Sequence, residues 1–346
     1  MQFNLKEKLV YGLSMLLTRF TNRGKNLLDL SPATILVVKL DEIGDLCYSL
    51  HVFDLLKEKY PTAHITVYCK PFAGSLLLNH PAVHQTIHEL NAIPAHIDLW
   101  VELRGNFKTI LKAFFSKPTV RLDRATIRYK NKLLGGHPHE IVTNQQIVEP
   151  LFESKPAQHF PILTVGDNAQ LAVQHFLKTQ QIQDYVLIHP GARKALRRWK
   201  PHYFAALADW LIAEFNVKVV FIGDKSETAI IESIMVLGSN KFISAAGIGD
   251  LTFLAALMSN AKLFVGNESG PLSIASVSEI PTVGLFGPGE PNVFYPIGKK
   301  TAYVHHVLAC NPCNQVKCVS PHQTCMDLIT LLEVQDKIKS VIDSFN

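Results

Sequence analysis

Three segments of the 346-residue chain hold side chains that could do chemistry, and the first is an acidic loop at residues 39–45. It reads Lys-Leu-Asp-Glu-Ile-Gly-Asp and places Asp41, Glu42 and Asp45 around a single glycine. A phosphate-binding loop needs several glycines so that backbone N–H groups can approach the anion, and carboxylates repel that anion. Asp45 therefore has two interpretations, a cap for the following helix or a general base for a sugar hydroxyl. The loop by itself does not decide between them.

The second segment is basic and covers residues 193–200, where five of eight positions are Arg or Lys. It follows a strand-like run that ends in His-Pro-Gly-Ala at residues 189–192. Arginine offers paired donors to phosphate oxygens, so this loop is a candidate polyphosphate site. A solvated basic loop is the alternative, and the position at a strand end beside Trp199 favours the site. The arginines of the loop are Arg193, Arg197 and Arg198.

The third segment, residues 265–273, follows another strand-like run and opens a helix. Ser269 and Gly270 would present a hydroxyl and a backbone N–H at the positive end of that helix, which suits a pyrophosphate. Ser-Gly-Pro also begins ordinary helices, so this short string does not identify a site by itself.

Units of strand and helix must position these segments. Residues 34–69 read as strand, loop, helix and strand, and a second series of the same kind begins after residue 184. Continuous apolar runs separated by helices are typical of parallel sheets that are buried on both faces. The stretch between the two series, residues 149–168, is rich in proline and polar residues and indicates a domain boundary.

The predicted fold is therefore α/β, with two Rossmann-like domains whose parallel sheets face each other across an inter-domain cleft. An N-terminal helix, basic and amphipathic, is expected either to pack on the body of the protein or to dock reversibly on an anionic membrane. A cleaved signal peptide is disfavoured, because no small-residue cleavage site precedes the first strand. The expected ranges are 1–30 for this helix, 31–160 for an acceptor domain, 161–326 for a donor-nucleotide domain and 327–346 for a C-terminal helix.

Composition excludes several classes of protein. With 47% hydrophobic and 18% charged residues, the chain is neither disordered, nor collagen, nor a coiled coil. The net charge of +5 favours acidic partners, but no nucleic-acid recognition motif is present. No apolar run reaches the ~18 residues needed to cross a bilayer. Six cysteines are too few for a disulfide scaffold, and a reducing cytoplasm is the expected compartment.

Taken together, the motifs resemble glycosyltransferase family nine, the heptosyltransferases of lipopolysaccharide core synthesis. The likeness covers about residues 33–330, and it rests on the order and spacing of its parts. Those parts include VVKLDEIGD, DLWVELRGN, IHPGA followed by RRW, FVGNESGPLSIAS and GLFGPGEPNVFYP.

The resemblance implies a GT-B fold and an inverting, metal-independent transfer of a sugar from a nucleotide diphosphate donor, without a cofactor. Heptose from ADP-heptose and a lipopolysaccharide core acceptor are the expected substrates. The resemblance also implies that Asp45 is the catalytic base and that Arg197 or Arg198 holds donor phosphate. Glu268 and Ser273 stand where the family usually has Asp and His. The expected donor-binding residues are Arg193, Arg197, Arg198, Glu268, Ser269, Gly270 and Ser273.

The acceptor is assigned to the first domain, where residues 121–132 hold five cations against one carboxylate. The expected acceptor-binding residues are Lys39, Arg104 and Arg124, with a solvated basic face as the alternative. Such an enzyme would work in the cytoplasm against the inner face of an anionic membrane.

Two other functions remain open at this point. One is a nucleotide-sugar epimerase on the same fold, and the other is a non-catalytic nucleotide-sugar-binding relative, motivated by Glu268 and Ser273. A dinucleotide-dependent dehydrogenase is disfavoured because neither series contains Gly-x-Gly-x-x-Gly.

Four cysteines near the C-terminus are spaced C-x2-C-x4-C-x6-C. Four thiolates could form a small structural zinc site. Their spacing is tighter than the usual pattern of two pairs, and unmetallated structural thiols are the favoured interpretation. The cysteines are Cys310, Cys313, Cys318 and Cys325.

Overall fold

The structure, a computed structural model, describes residues 5–157, 159–320 and 322–342, with side chains from residue 8 onward. The chain divides into two compact units, Met1–Thr164 and Val165–Asn346. The boundary predicted from the sequence, after residue 160, lies four residues earlier.

The first unit is built on a parallel sheet with strand order β3-β2-β1-β4-β5 in the part of the chain that the structure describes. Its elements are α1 (Leu5–Thr21), β1 (Thr34–Lys39), α2 (Ile43–Cys47), α3 (Leu50–Lys59), β2 (His64–Cys69), α4 (Pro71–Gly74), β3 (Gln85–Ile87), β4 (Leu99–Arg104), α5 (Phe107–Ser116), β5 (Val120–Asp123), α6 (Arg124–Leu133) and α7 (Glu140–Val148).

Strand β1 lies at the topological switch point of this sheet. The chain proceeds from β1 to β2 and β3 on one side and then returns to place β4 on the other side of β1. Ligands of open α/β sheets bind beyond the carboxyl ends of the strands at such a point. Lys39 and Arg104 are register partners at the ends of β1 and β4. The acidic loop begins there.

The apolar run of β1 is buried on both faces, as its sequence predicts. One face packs on Trp100 and on Ala113 of α5, in a cluster that also contains Leu36 and Val38. Cys47 and Cys69 are buried free thiols, and burial raises the pKa of each to about 12. Both cysteines therefore act as small apolar side chains.

The N-terminal helix α1 packs on the first unit, against β5, α5 and α6. The side of α1 that makes the contact carries Ser14 and Thr18 and also Leu17, which packs on the apolar cluster beneath it. The Asn22 side chain, which follows α1, donates to the Arg121 carbonyl at 2.7 Å and accepts from the Arg121 N–H at 2.9 Å. It thereby satisfies backbone groups along β5, the edge strand of the described sheet. Ser14 is also buried in this contact.

The second unit contains another parallel sheet, with strand order β11-β10-β9-β6-β7-β8 among the described residues. Its elements are α8 (Asp167–Thr179), β6 (Tyr185–His189), α9 (Pro201–Phe215), β7 (Lys218–Phe221), α10 (Thr228–Leu237), β8 (Ile243–Ser244), α11 (Leu251–Ser259), β9 (Leu263–Asn267), α12 (Gly270–Val277), β10 (Thr282–Phe286), α13 (Pro291–Phe294), β11 (Thr301–His305) and α14 (Leu331–Val341).

The switch point of the second sheet lies between β6 and β9, where His189 and Gly266 are register partners. The basic loop follows β6, and α12 follows β9, so two of the three sequence segments meet at this point. Helix α14 packs on β10, β11 and α9, with Val334 and Ile338 buried. The Trp199 indole N–H donates to the Ile329 carbonyl at 2.9 Å, which ties the basic loop to the same core. In the described part of the chain, no helix is long and apolar enough to cross a membrane.

Candidate functional site

In the first unit, Asp45 lies inside the first turn of α2 rather than at its cap. Glu42 is the residue that precedes the helix, and its side chain makes no capping hydrogen bond. The capping role that the sequence left open for Asp45 is therefore not what the structure shows.

Around Asp45, two cations and two further carboxylates form a buried charge cluster. Lys39 is fully buried, with its Nζ 3.3 Å from Asp41 Oδ2 and 4.0 Å from Glu140 Oε1. The Arg124 guanidinium binds Glu140 with both terminal nitrogens, one of them 2.7 Å from Glu140 Oε2. Three carboxylates thus share two cations in a place largely shielded from water.

This imbalance changes the acidity of Asp45. Burial and the nearby Asp41 carboxylate raise the pKa of Asp45 from 3.8 to about 6, although Lys39 and Arg124 act in the opposite direction. Burial also tends to raise the pKa of Glu140, but Arg124 and Lys39 outweigh it and bring that pKa to about 2. The two carboxylates of this cluster therefore differ in acidity: the pKa of Glu140 is about 2 and that of Asp45 is about 6. A base is most effective when its pKa lies near the working pH.

The position of this cluster is held by Asn144 on α7. Its side-chain oxygen accepts from Arg124 at 3.2 Å, and its nitrogen donates to the Tyr48 carbonyl, just after α2, at 2.9 Å. Asn144 is fully buried. It therefore fixes the end of α2, which carries Asp45, relative to the Arg124–Glu140 pair.

The three predicted acceptor residues come together at the carboxyl end of this sheet, but they differ in exposure. Lys39 and Arg124 are buried against carboxylates, whereas Arg104 is partly exposed. In the basic stretch 121–132, Arg121 is buried as well, with Glu102 at 2.9 Å. Counting cations along the sequence does not show which of them have carboxylate partners inside the fold, and no motif indicated Glu140.

In the second unit, Asn267 at the end of β9 organises the basic loop. Its side-chain Oδ1 accepts from the backbone N–H of Trp199 at 3.1 Å, and its side-chain Nδ2 donates to the Pro190 carbonyl at 2.8 Å. One buried carboxamide thus joins both ends of the loop that contains Arg193, Arg197 and Arg198. Trp199 anchors the loop and is itself buried.

The arginines of the loop have different surroundings. Arg197 lies 3.2 Å from Glu268 Oε1, and its Nε donates to Gln315 Oε1 at 2.6 Å. Arg198 is exposed, and its Nε donates to the Ala192 carbonyl at 2.9 Å. Arg193 is exposed too.

Glu268 is buried, and its Oε2 has no hydrogen-bond partner in the structure. Burial raises the pKa of Glu268, and Arg197 opposes that rise. A Cβ atom on Gly289 would lie 1.9 Å from Glu268 Oε2, so glycine at that position leaves room for the carboxylate. The buried Glu268 carboxylate is thus the ion-pair partner of Arg197.

At the start of α12, Ser269 is the N-cap residue, Gly270 is the first helical residue, and Ser273 is buried in the first turn. His189 at the end of β6 contacts this helix start, with its Nδ1 3.1 Å from Ser269 Oγ. Its Nε2 lies 3.1 Å from Glu227 Oε2. Sequence reasoning named Ser269 but missed His189 and Glu227, although the His-Pro-Gly string at the strand end could have indicated the histidine.

The four C-terminal cysteines are free, and all of them line one pocket beside Leu196 and Pro288. Within the described residues, no three His, Cys, Asp or Glu side chains are grouped as ligands of a metal ion. The arrangement of the thiols gives the zinc alternative no support.

Comparison with known proteins identifies the family. The model of glycosyltransferase family 9 (heptosyltransferase) matches residues 122–323, more than half of the chain. Lipooligosaccharide heptosyltransferase 2 of Haemophilus ducreyi is 27% identical over 306 residues, covering 78% of this chain and 88% of the relative. The protein of the same name from Campylobacter jejuni serotype O:6 is 27% identical over 237 residues, covering 66% of this chain and 73% of the relative.

Solved structures of family 9 glycosyltransferases have the same fold as this chain. A family 9 glycosyltransferase from Veillonella parvula has a TM-score of 0.79 at 18% identity and covers 90% of this chain and 98% of its own. The Escherichia coli ADP-heptose LPS heptosyltransferase II has a TM-score of 0.70 at 21% identity, with 89% and 98% covered. The predictions of the GT-B fold and of an enzyme are thus confirmed. From the matched family model and these relatives, the chain belongs to glycosyltransferase family 9 and is a glycosyltransferase of the heptosyltransferase type.

Proposed function

We propose that this enzyme transfers heptose from ADP-heptose to an acceptor of the lipopolysaccharide core, with inversion at the anomeric carbon and without a metal ion or cofactor. Curated relatives are named lipopolysaccharide or lipooligosaccharide heptosyltransferases. Solved relatives include one named for ADP-heptose and one determined with ADP. The observation that carries the proposal is the Asp45 carboxylate, whose pKa is about 6 at the switch point of the first sheet.

Asp45 acts as the general base in this proposal. As the acceptor hydroxyl oxygen attacks the anomeric carbon of heptose, its proton passes to the Asp45 carboxylate. The bond from that carbon to the diphosphate oxygen breaks, and ADP leaves with the electron pair. A single displacement from the opposite face inverts the configuration at the anomeric carbon. With a pKa near 6, Asp45 is mostly ionised at neutral pH and still basic enough to take the proton.

The second unit supplies the site for the leaving ADP. Arg193, Arg197 and Arg198 offer cationic donors to the two phosphates, and Glu268 holds Arg197 in place. The Ser269 hydroxyl and the Gly270 N–H stand at the positive end of α12, and Ser273 lies in the same turn. Fixed cations and helix-end donors stabilise the negative charge that develops on the leaving diphosphate. We therefore assign no metal ion to this step.

For the acceptor, the partly exposed Arg104 is the residue proposed to contact acidic groups. We propose that Lys39 and Arg124, which the sequence analysis assigned to the acceptor, instead balance the charge around Asp45. The proposal places the enzyme in the cytoplasm, in reversible contact with the anionic inner face of the membrane.

The test is transfer itself. The purified protein is incubated with ADP-heptose and with lipopolysaccharide whose core lacks heptose, with and without EDTA, and GDP- and UDP-sugars serve as control donors. We expect an acceptor heavier by one heptose, inverted anomeric configuration by NMR, and equal rates with EDTA. Conversion of the nucleotide sugar without acceptor would instead favour an epimerase, and tight ADP-heptose binding without any product would favour a non-catalytic relative.

A further inference from the structure

Helix α1 turns its most apolar side away from the protein. Four of its side chains recur three or four positions apart, so they form one stripe along the helix. They are Leu9, Leu13, Leu16 and Phe20, and they are between 46% and 64% exposed. The opposite side, with Ser14 and Thr18, is the one that contacts the first unit. The apolar stripe is exposed because the hydrogen bonds that attach α1 to Arg121 are made from the opposite side of the helix.

Two neighbouring helices share this property. Helix α1 contacts both α5 and α6, so the three helices are neighbours in the fold. On α5 the inward side chains are small or medium in size and include Thr109 and Ala113, whereas its aromatic residues point outward. We call the exposed apolar side chains of these helices the outer helical face. Beyond the stripe of α1, it consists of Phe107, Leu111, Phe114, Phe115, Tyr129, Leu133 and Leu134.

The charged residues of these three helices are mostly cationic. Helices α5 and α6 contain no Asp or Glu, and Glu7 is the single acidic residue in the sequence of α1. Exposed or partly exposed cations lie among the apolar side chains on all three helices. They are Lys8, Arg19, Lys108, Lys112, Arg128, Lys130 and Lys132.

We propose that the outer helical face docks on a bilayer surface that carries anionic lipid. Large exposed apolar patches mark interaction sites. Leucine and phenylalanine side chains at such a site enter the boundary between headgroups and acyl chains, while lysine and arginine remain with anionic headgroups. The absence of carboxylates from α5 and α6 removes the repulsion that such a surface would exert.

This inference deepens the membrane contact in the proposed function, because it names the residues that make it. The unit that carries Asp45 and Arg104 is then the one held at the lipid surface. An acceptor that is itself part of a lipid would be presented to that same unit. Docking is reversible, because it depends on side chains that insert only to a shallow depth and on exposed charges, not on a helix that spans the membrane.

The experiment is vesicle flotation of the full chain, with phosphatidylcholine vesicles that contain or lack 30% phosphatidylglycerol. The wild type should float with the anionic vesicles and much less with the neutral ones. The variant Leu13→Gln/Leu16→Gln/Phe114→Gln/Phe115→Gln should bind anionic vesicles about tenfold or more weakly. The matched control is Val236→Gln/Leu237→Gln on α10, which removes exposed apolar side chains of the other unit and should bind as the wild type does.

A second pair of variants tests the charges. Lys8→Gln/Lys108→Gln/Lys112→Gln should weaken binding to anionic vesicles about tenfold or more, because each lost cation removes an attraction to the anionic headgroups. Lys178→Gln/Lys241→Gln/Lys299→Gln changes the net charge equally, in the second unit, and should have little effect. The double variant Phe114→Gln/Phe115→Gln, with both side chains exposed, provides a milder change if the fourfold variant does not fold.

The inference would be overturned if the wild type, the fourfold variant and the Phe114→Gln/Phe115→Gln variant all bound anionic vesicles equally well. A second result would also overturn it: the wild type does not bind anionic vesicles and sediments as a dimer, whereas the fourfold apolar variant sediments as a monomer. In that case a second copy of the chain covers the outer helical face. Transfer to an acceptor stripped of its acyl chains should be unchanged in every variant. If the wild type transferred no heptose to this acceptor but still bound anionic vesicles, the proposed function would be refuted and the inference about docking would be retained.

Discussion

At the residue scale, the environment of Asp45 makes its charged form costly. Burial and Asp41 disfavour the carboxylate, and Lys39 and Arg124 compensate only in part. Asp41 itself has an Oδ1 atom that is buried without a hydrogen-bond partner. The cluster thus lowers folding stability and holds the pKa of Asp45 near 6, the kind of perturbation that functional sites often show.

The free energy of unfolding should therefore depend on pH through Asp45. Because the folded-state pKa of Asp45, about 6, lies above its ordinary value of 3.8, its contribution to stability is greatest at low pH and is lost as pH rises through about 6. Asp45→Asn should therefore raise the free energy of unfolding by about 1–3 kcal/mol at pH 8, and much less at pH 4.5. Urea unfolding at both values measures this, with the exposed Glu153→Gln as control. A variant less stable than the wild type at pH 8 would contradict it.

Arg197 should have two separable roles, in nucleotide binding and in charge balance. Arg197→Ala should weaken ADP binding by about 1.5–3 kcal/mol, the range for charge-assisted contacts. It should also lower the free energy of unfolding, because Glu268 would remain buried without its cation. Arg198→Ala should weaken binding in the same range with little effect on stability, since the Arg198 side chain is exposed.

The double variant Arg197→Ala/Glu268→Gln separates the roles of Arg197. It should recover the lost stability but not the lost affinity for ADP. Calorimetric titration with ADP and urea unfolding measure the two quantities, and Lys241→Ala serves as the control for a lost exposed cation. Wild-type affinity for ADP in both single arginine variants would contradict the donor assignment.

From the sequence, candidate roles could be given to single residues that lie in short motifs at strand ends, as Asp45, Arg197 and Ser269 do. Glu140 and Asn267 were missed because their importance comes from partners far away in the chain, Arg124 and Trp199. Lys39 was placed at the correct sheet edge, but its burial against Asp41 depends on side-chain packing that a charge pattern does not show.

At the element scale, periodicity predicted a helix at the N-terminus but left open which side would pack. The answer depends on Arg121 of the edge strand β5, which is fully buried. Its guanidinium donates to the Ser14 carbonyl and to Ser14 Oγ, both at 2.9 Å, and to Glu102 Oε2 at 2.9 Å. These hydrogen bonds hold the side of α1 that carries Ser14 against the unit and leave Leu9, Leu13 and Leu16 exposed.

The attachment of α1 should therefore depend on polar contacts. Arg121→Ala should lower the free energy of unfolding by about 3–5 kcal/mol, because Glu102 and Asp123 would be left buried without their cation. Asn22→Ala should cost about 1–2 kcal/mol, for two hydrogen bonds to the β5 backbone.

Urea unfolding gives these energies, and hydrogen exchange along α1 reports whether the helix detaches first. Gln174→Ala, at an exposed position of α8, is the control. If α1 exchanged at the wild-type rate in the Asn22→Ala and Arg121→Ala proteins, the polar contacts would not be what holds it.

At the scale of the whole molecule, the division into two parallel-sheet units was predictable because continuous apolar strands alternate with helices on both sides of a proline-rich stretch. The distribution of charge was not. The net charge of +5 is modest, yet exposed cations lie on each of α1, α5 and α6. Within the basic segment 121–132, by contrast, Arg121 and Arg124 are buried.

This distribution predicts different salt responses for the two substrates. Attraction between exposed charges is screened within ~8 Å at physiological salt, whereas close contacts in a pocket are screened less. The KM for an acidic acceptor presented in anionic vesicles should rise steeply between 50 and 300 mM NaCl, and the KM for ADP-heptose should change less. Initial rates at a series of salt concentrations measure both. Parallel rises of the two constants would indicate that the basic surface is only solvated.

The most direct test of Asp45 as the base of a glycosyl transfer is the single-turnover rate of Asp45→Asn at pH 8, measured with saturating ADP-heptose and acceptor. Asparagine keeps the size of the side chain and removes its basicity, so the rate should fall by roughly 10²–10⁴ while the calorimetric Kd for ADP stays within about twofold. A near-normal rate for a variant that binds ADP normally would show that another group takes the proton, and would contradict the account.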